Sequence, residues 1–450
     1  MRAARAAPST EPTPRMGTHR CPPSATHAGV AWCGLLAMVA TVIAWNFVQP
    51  LPDIVPVALS VMAASALGVY VPDLAWQRVQ RRALAPGCGP GHWPRVLTKA
   101  LGLLGCLGAV AVFYRLVPEY HRPGDFYGHY WQALRWLLPP WLLLALPYLW
   151  WVDRRLAAPE DALWQIGRAL LGRWRDVRGP EVGQYLLGWL VKAFFLPLMF
   201  GYFCADLLRM LHYDPARVYS GFAGLYEFLY FSLFFIDVAL VSMTYLFSLR
   251  LTDTHIRSTE PTLLGWAVAL ACYDPFWSLF GARYLRYESV PWGTWLAPFP
   301  WLYASWGTLI LLLLAVYVWA TVSFGGRFSN LTHRGIITNG PYRYTKHPAY
   351  LAKNLSWWML AMPFMAGDGI GAALVRCALL LCLNAIYYLR AKTEERHLAL
   401  DPVYVEYAAW IDEHGALRFI NRIPLLGGLA RWRPAFRRPR LALIWPTAKA

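Results

Sequence analysis

The sequence predicts an all-α, polytopic membrane protein, a bundle of about ten transmembrane helices with both termini on the cytoplasmic side. Three observations predict it. Hydrophobic residues fill 57% of the 450 positions and charged residues only 15%, unlike a soluble domain. Apolar stretches recur that approach or exceed the roughly twenty residues needed to cross a bilayer core of about 30 Å. Finally, the connections between those stretches alternate between rich and poor in Lys and Arg, as positive-inside topology requires.

The first span, AGVAWCGLLAMVATVIAWNFV from Ala28 to Val48, follows the basic, proline-rich start MRAARAAPSTEPTPR. It is too long for a signal-peptide core and lacks a small-residue cleavage site, so it reads as a retained helix. With it, ten spans are expected, centred near residues 38, 61, 107, 142, 195, 234, 271, 312, 358 and 379. One set of connections is basic: the N-terminus (Arg2, Arg5, Arg15, Arg20), Arg78 to Lys99, Arg154 to Arg178, Arg327 to Lys346, and the C-terminal tail. The other set holds no basic residue between the first two spans, Arg122 alone in the next, and none in Gly367-Asp368-Gly369. An even number of spans then puts both ends in the cytoplasm.

Four segments are expected. Residues 1–27 form a disordered basic tail, and residues 28–300 carry about seven spans. Residues 301–425 change character and carry the motifs, and 426–450 form a second basic tail. Within the N-terminal region, 153–183 is the longest polar connection. Its stretch EDALWQIGRALLGRWRDV has apolar residues at helical spacing flanked by Arg and Trp, the pattern of a helix lying on the membrane surface.

The net charge of +17 is spread over loops and tails, which points to anionic lipid headgroups and away from nucleic acid. The eight cysteines are scattered and none forms CxxC, so neither a disulfide framework nor a metal site is expected. Lys192, Asp206, Glu227, Asp237 and Asp274 fall inside the N-terminal spans, where a charge costs about 2.5–3.5 kcal/mol at mid-bilayer. Asp206 and Glu227 lie near span ends and suit snorkelling. Asp237 and the Asp274-Pro275 break lie deeper, where a structural pair and a substrate pathway are both open.

From residue 324 the chain reads FGGRFSNLTHRGIITNGPYRYTKHPAYLAKNLSWWMLAMPFM. Gly340-Pro341 is a turn signal, and Pro348 suits the first turn of a helix. Lys346 and His347 then sit at that helix's N-terminus beside free backbone N–H groups, which favours an anion. An apolar hairpin through Gly367-Asp368-Gly369 follows, and its returning arm ends NAIYYLRAKTEERHLALDPVYVEYAAW. Arg390 and Glu394 share a face there with Tyr387 and Leu398. The hairpin brings Lys346, His347 and Tyr350 toward Arg390, Glu394 and Glu395. Two polar clusters converging on one membrane face, amid aromatic residues, form a pocket.

GPYRYTKHPAY, an apolar hairpin and RxxxEExxL together resemble the isoprenylcysteine carboxyl methyltransferase and phospholipid methyltransferase families of membrane enzymes. The matching positions are Gly340, Pro341 and Tyr342, then His347, Pro348 and Tyr350, then Arg390, Glu394, Glu395 and Leu398. His333 fits ahead of the turn, and Tyr404, Tyr407, Arg418 and Pro424 fit a family-like tail. Lys346 stands where Arg is usual, and Ala352 where Gly is common. The resemblance spans roughly residues 305 to 425.

It implies an S-adenosylmethionine-dependent methyltransferase acting on a lipid or lipid-modified acceptor, with its site facing the cytoplasm. The implied cofactor-binding residues are Tyr342, His347, Pro348, Tyr350, Glu394, Glu395, Tyr404 and Tyr407. Arg390 and Glu394 are the implied catalytic pair, with Arg390 orienting an acceptor carboxylate or phosphate. The residue types suit this. Carboxylates accept from ribose hydroxyls, a helix start holds a carboxylate, and aromatic faces stack adenine and attract a sulfonium. An NADPH-dependent membrane sterol reductase, which resembles the same hairpin architecture, is the alternative. A transporter would show internal repeats, and none is seen.

Overall fold

The computed structural model describes residues 20–48, 53–85, 89, 91–121 and 125–419. The expectations for most of both tails, and for Cys88, Arg122 and Pro424, lie outside the described residues.

Helix dominates because a long apolar segment in hydrocarbon can satisfy its backbone N–H and C=O groups only within itself. The N-terminal region contains α1 (Ala28–Trp45), α2 (Ile54–Ala75), α3 (Trp93–Leu116), α4 (Asp125–Asp153), α5 (Ala162–Leu170), α6 (Gly179–Leu211), α7 (Phe222–Leu246) and α8 (Leu263–Leu270). The C-terminal region contains α9 (Pro300–Ser323), α10 (Pro348–Ala361), α11 (Ile370–Leu398) and α12 (Pro402–His414). Among the described residues the β structure is one antiparallel ladder, β1 (Ser258–Thr259) with β2 (Thr332–His333), Ser258 lying opposite His333.

Among the described residues, seven helices are long and apolar enough to cross a membrane: α1, α2, α3, α6, α7, α9 and α11. The other three expected positions differ. Residue 142 lies in α4, which is 29 residues long but carries Pro139, Pro140 and Pro147 among its tryptophans and tyrosines. Residue 271 caps the eight-residue α8, just before the Asp274-Pro275 break. Residue 358 lies in α10, whose 14 residues reach about 21 Å at 1.5 Å per residue. That is short of the hydrocarbon thickness.

Small residues set the helix spacing. A Cβ on Gly167 of α5 would lie 1.9 Å from the Thr98 carbonyl oxygen of α3, so only glycine permits this approach. α5 is tied down further by charge: Asp153 receives Arg95 at 2.6 Å and Lys99 at 2.9 Å, and Lys99 also reaches Asp161, the N-cap of α5. A helix is thus present in the expected segment, but it is shorter than its sequence pattern.

Two devices fix the segment between α9 and α10. The buried Arg334 guanidinium donates to the carbonyls of Thr254 (2.6 Å), Thr244 (3.0 Å), Phe328 (2.8 Å) and Phe247 (3.1 Å). Arg327, also buried, pairs with Asp253 at 3.2 Å. From the other side, residues 22–26 run across the segment. The Ala25 amide donates to the Ile336 carbonyl, Thr338 to the Pro22 carbonyl and Asn339 to the Thr26 carbonyl, at 2.8–2.9 Å. The N-terminal strap and the C-terminal region are therefore packed as one body.

Candidate functional site

The site begins at the turn Gly340–Arg343. Gly340 has φ +56°, and a Cβ there would lie 2.3 Å from Ser323 Oγ, so the tight turn against α9 requires glycine. Pro341 and Tyr342 are buried, and the Tyr342 ring packs edge-on against Phe324 with centroids 5.4 Å apart. Tyr407 of α12 donates its hydroxyl to the Tyr342 carbonyl at 2.6 Å. Tyr342, Tyr404 and Tyr407 belong to one buried aromatic cluster that braces the turn.

His347 is the N-cap residue of α10 and Pro348 its first residue, as the turn chemistry anticipates. The His347 ring stacks on Tyr350 at 5.4 Å with planes 7° apart. Its Nε2 lies 3.1 Å from Glu395 Oε1. Lys346 Nζ lies 3.6 Å from the same oxygen, and Lys392 Nζ lies 2.9 Å from Glu395 Oε2. Lys346 also meets Asp412 of α12 at 3.3 Å. One buried carboxylate thus gathers three basic side chains at the helix mouth.

Arg390 and Glu394 share a face but take different partners. Glu394 Oε2 accepts from the Tyr350 hydroxyl at 2.8 Å. Arg390 donates to Asn330 Oδ1, and its guanidinium lies 5.2–5.7 Å from the ring centres of Tyr350, Tyr273 and Tyr387. It is 8% exposed, so this cation is held by ring faces and an amide, without a carboxylate in contact among the described residues.

The polar residues gathered here are Lys346, His347, Tyr350, Arg390, Glu394 and Glu395. Asn330, Tyr273, Lys392 and Asp412 join them unannounced. Lys392 could have been found from its three-residue spacing to Glu395. Asn330, Tyr273 and Asp412 come from distant segments and have no local signature. His333, ahead of the turn, lies 3.2 Å from Asp401.

The unmet groups bear on whether these residues fit a polar cofactor that carries a carboxylate. The Tyr404 hydroxyl is buried without a hydrogen-bond partner among the described residues. Burial, and next the charge of Glu395, pushes it well above the ordinary phenol range, so it stays a neutral donor. The basic groups around Glu395 and an unused donor beside it suit a ligand bearing a carboxylate and hydroxyl groups.

Residues 305–400 match the isoprenylcysteine carboxyl methyltransferase (ICMT) family. The matched stretch runs from within α9 to the end of α11, and it contains both converging clusters. No curated protein and no solved structure matches the chain. The matched segment is about a fifth of the chain. The N-terminal spans lie outside the match.

Proposed function

We propose that the chain is an integral membrane methyltransferase that uses S-adenosylmethionine to methylate a lipid or lipid-modified acceptor. The observation that carries this reading is the pair of contacts His347–Glu395 and Tyr350–Glu394, made inside the ICMT segment at the start of α10. In this reading residues 301–425 hold the cofactor, and the spans in 28–300 shape the acceptor's chamber. The basic loops support a site on the cytoplasmic face.

S-adenosylmethionine would supply an electrophilic methyl group on a sulfonium. Lys346, His347, Lys392 and the start of α10 at Pro348 would hold its carboxylate. Glu394 and Glu395 would accept from its hydroxyl groups, and the Tyr404 hydroxyl would donate. Tyr350 would offer a ring face to the sulfonium, while Tyr342 and Tyr407 keep the wall in place. Arg390 would orient the acceptor's acidic group. Methyl transfer is a displacement that needs no enzyme nucleophile, so positioning and exclusion of water supply the acceleration. Nothing in the site favours the NADPH-dependent reductase.

The test is transfer of labelled methyl from S-adenosylmethionine into lipids extracted from the host membrane, using purified full-length protein. Label in a lipid fraction that disappears with Glu394→Ala supports the reading. Equal labelling by the variant contradicts it.

A further inference from the structure

Lys353 has no role in the cofactor site just described. It lies on α10 one turn past Tyr350, on the face shared by Tyr350 and Trp357, and so on the membrane side of the cofactor residues. Its ammonium lies 5.2 Å from the ring centre of Tyr317 on α9 and 5.5 Å from that of Trp357. Among the described residues it makes no hydrogen bond or ion pair. The carboxylate whose charge it influences is Asp237 of α7, which is buried and already accepts from the Tyr317 and Thr321 hydroxyls. The three ammonium N–H groups therefore face aromatic rings instead of acceptors.

A partly buried ammonium resting on ring faces is more weakly held than one that also donates to an anion, so a hydrogen-bonding anion would complete this site. The same aromatic wall continues to the second cation. Trp357 meets Tyr387 edge-on at 5.0 Å, Tyr387 meets Tyr350 at 5.6 Å, and Arg390 borders both tyrosines. Lys353 and Arg390 thus flank one wall, and neither contacts a carboxylate among the described residues.

We propose that Lys353 determines acceptor specificity by binding an oxyanion on the head of the lipid acceptor, and that this head carries a phosphate. A single carboxylate is matched by one guanidinium; a second cation along the wall suits a head with more negative oxygens. The apolar chain of the acceptor then lies in hydrocarbon beside α9 and α10. This inference rests on the methyltransferase reading.

The experiment is calorimetric titration of the detergent-purified full chain, saturated with S-adenosylhomocysteine, with farnesyl phosphate, N-acetyl-S-farnesylcysteine and farnesol. The expected order of affinity is phosphate, then carboxylate, then alcohol. Lys353→Met should weaken farnesyl phosphate about tenfold or more, as loss of a charged hydrogen bond does, and leave farnesol and the homocysteine cofactor unchanged. Lys353→Arg should restore the preference. An unchanged phosphate-to-farnesol ratio in Lys353→Met overturns the proposal. Equal binding of phosphate and carboxylate overturns the phosphate assignment, and Lys353-dependent binding of inorganic phosphate as tight as the lipid overturns the lipid assignment. Failure of S-adenosylhomocysteine to bind would instead overturn the methyltransferase reading, and the same titrations without it would still decide the role of Lys353.

Discussion

His347 Nε2, at the first cap of α10, lies 3.1 Å from Glu395 Oε1 near the end of α11, across 48 residues of sequence. The contact closes the mouth of the helical hairpin, and Lys346 and Lys392 converge on the same carboxylate. Glu395 is therefore the residue on which both arms of the hairpin depend.

Replacing it should act on stability and binding together. Glu395→Gln leaves three basic groups around a neutral amide; removal of one member of a buried ionic set typically costs about 3–5 kcal/mol. The expected result is a clear fall in thermal midpoint and loss of S-adenosylhomocysteine binding. Glu394→Gln keeps the Glu395 cluster, and should lose binding with a much smaller change in midpoint.

Acid should destabilise the protein through two loop histidines. Burial, then the nearby Arg250, holds His255 down at about 3, and burial holds His333 at about 4 against the opposing pull of Asp401. In the unfolded chain both take up protons near the ordinary imidazole value of about 6.5. The unfolded state therefore binds more protons below that pH, and stability falls as pH falls. Their contribution is full above pH 6.5 and lost progressively toward pH 4 and below. Thermal midpoints measured in detergent from pH 8 to pH 5 should be flat down to about 6.5 and then decline, less steeply in His255→Gln.

The α3–α5 contact offers a steric test. A methyl at Gly167 would meet the Thr98 carbonyl at 1.9 Å, and backbone on both sides cannot yield as a flexible side chain would. Gly167→Ala should cost about 1–3 kcal/mol, the usual range for overpacking. It should lower the thermal midpoint while leaving cofactor affinity unchanged, because α5 packs chiefly on α3 and α6. A variant as stable as the parent would contradict the packing.

Asp237 is predicted to be a positioning residue for the acceptor chamber. It holds Tyr317 through a hydroxyl hydrogen bond of 2.5 Å, and the Tyr317 ring lies beneath the Lys353 ammonium. Asp237→Asn should raise the acceptor KM several-fold with the cofactor KM unchanged. Unaltered kinetics on the true acceptor would remove Asp237 from the site.

The helical architecture was legible in the chain because long apolar runs are set by the bilayer and act locally. The α10 start was legible for the same reason: Gly340, Pro341 and Pro348 impose backbone geometry wherever they stand. Residue 358 was harder, since α10 ends at Ala361 and α9 and α11 complete its packing. Partner choice was not legible. Helical spacing offered Arg390 and Glu394 to each other, whereas tertiary packing gave Glu394 to Tyr350 and Arg390 to Asn330 and three rings. Asp237 looked isolated because its two hydroxyl donors come from α9, about 80 residues away.

The most direct test is calorimetric binding of S-adenosylhomocysteine and, separately, NADPH to the detergent-purified protein, with Glu394→Ala and His347→Ala alongside. The account predicts binding of S-adenosylhomocysteine that both substitutions abolish, and none of NADPH. Binding of NADPH in its place would contradict the methyltransferase assignment.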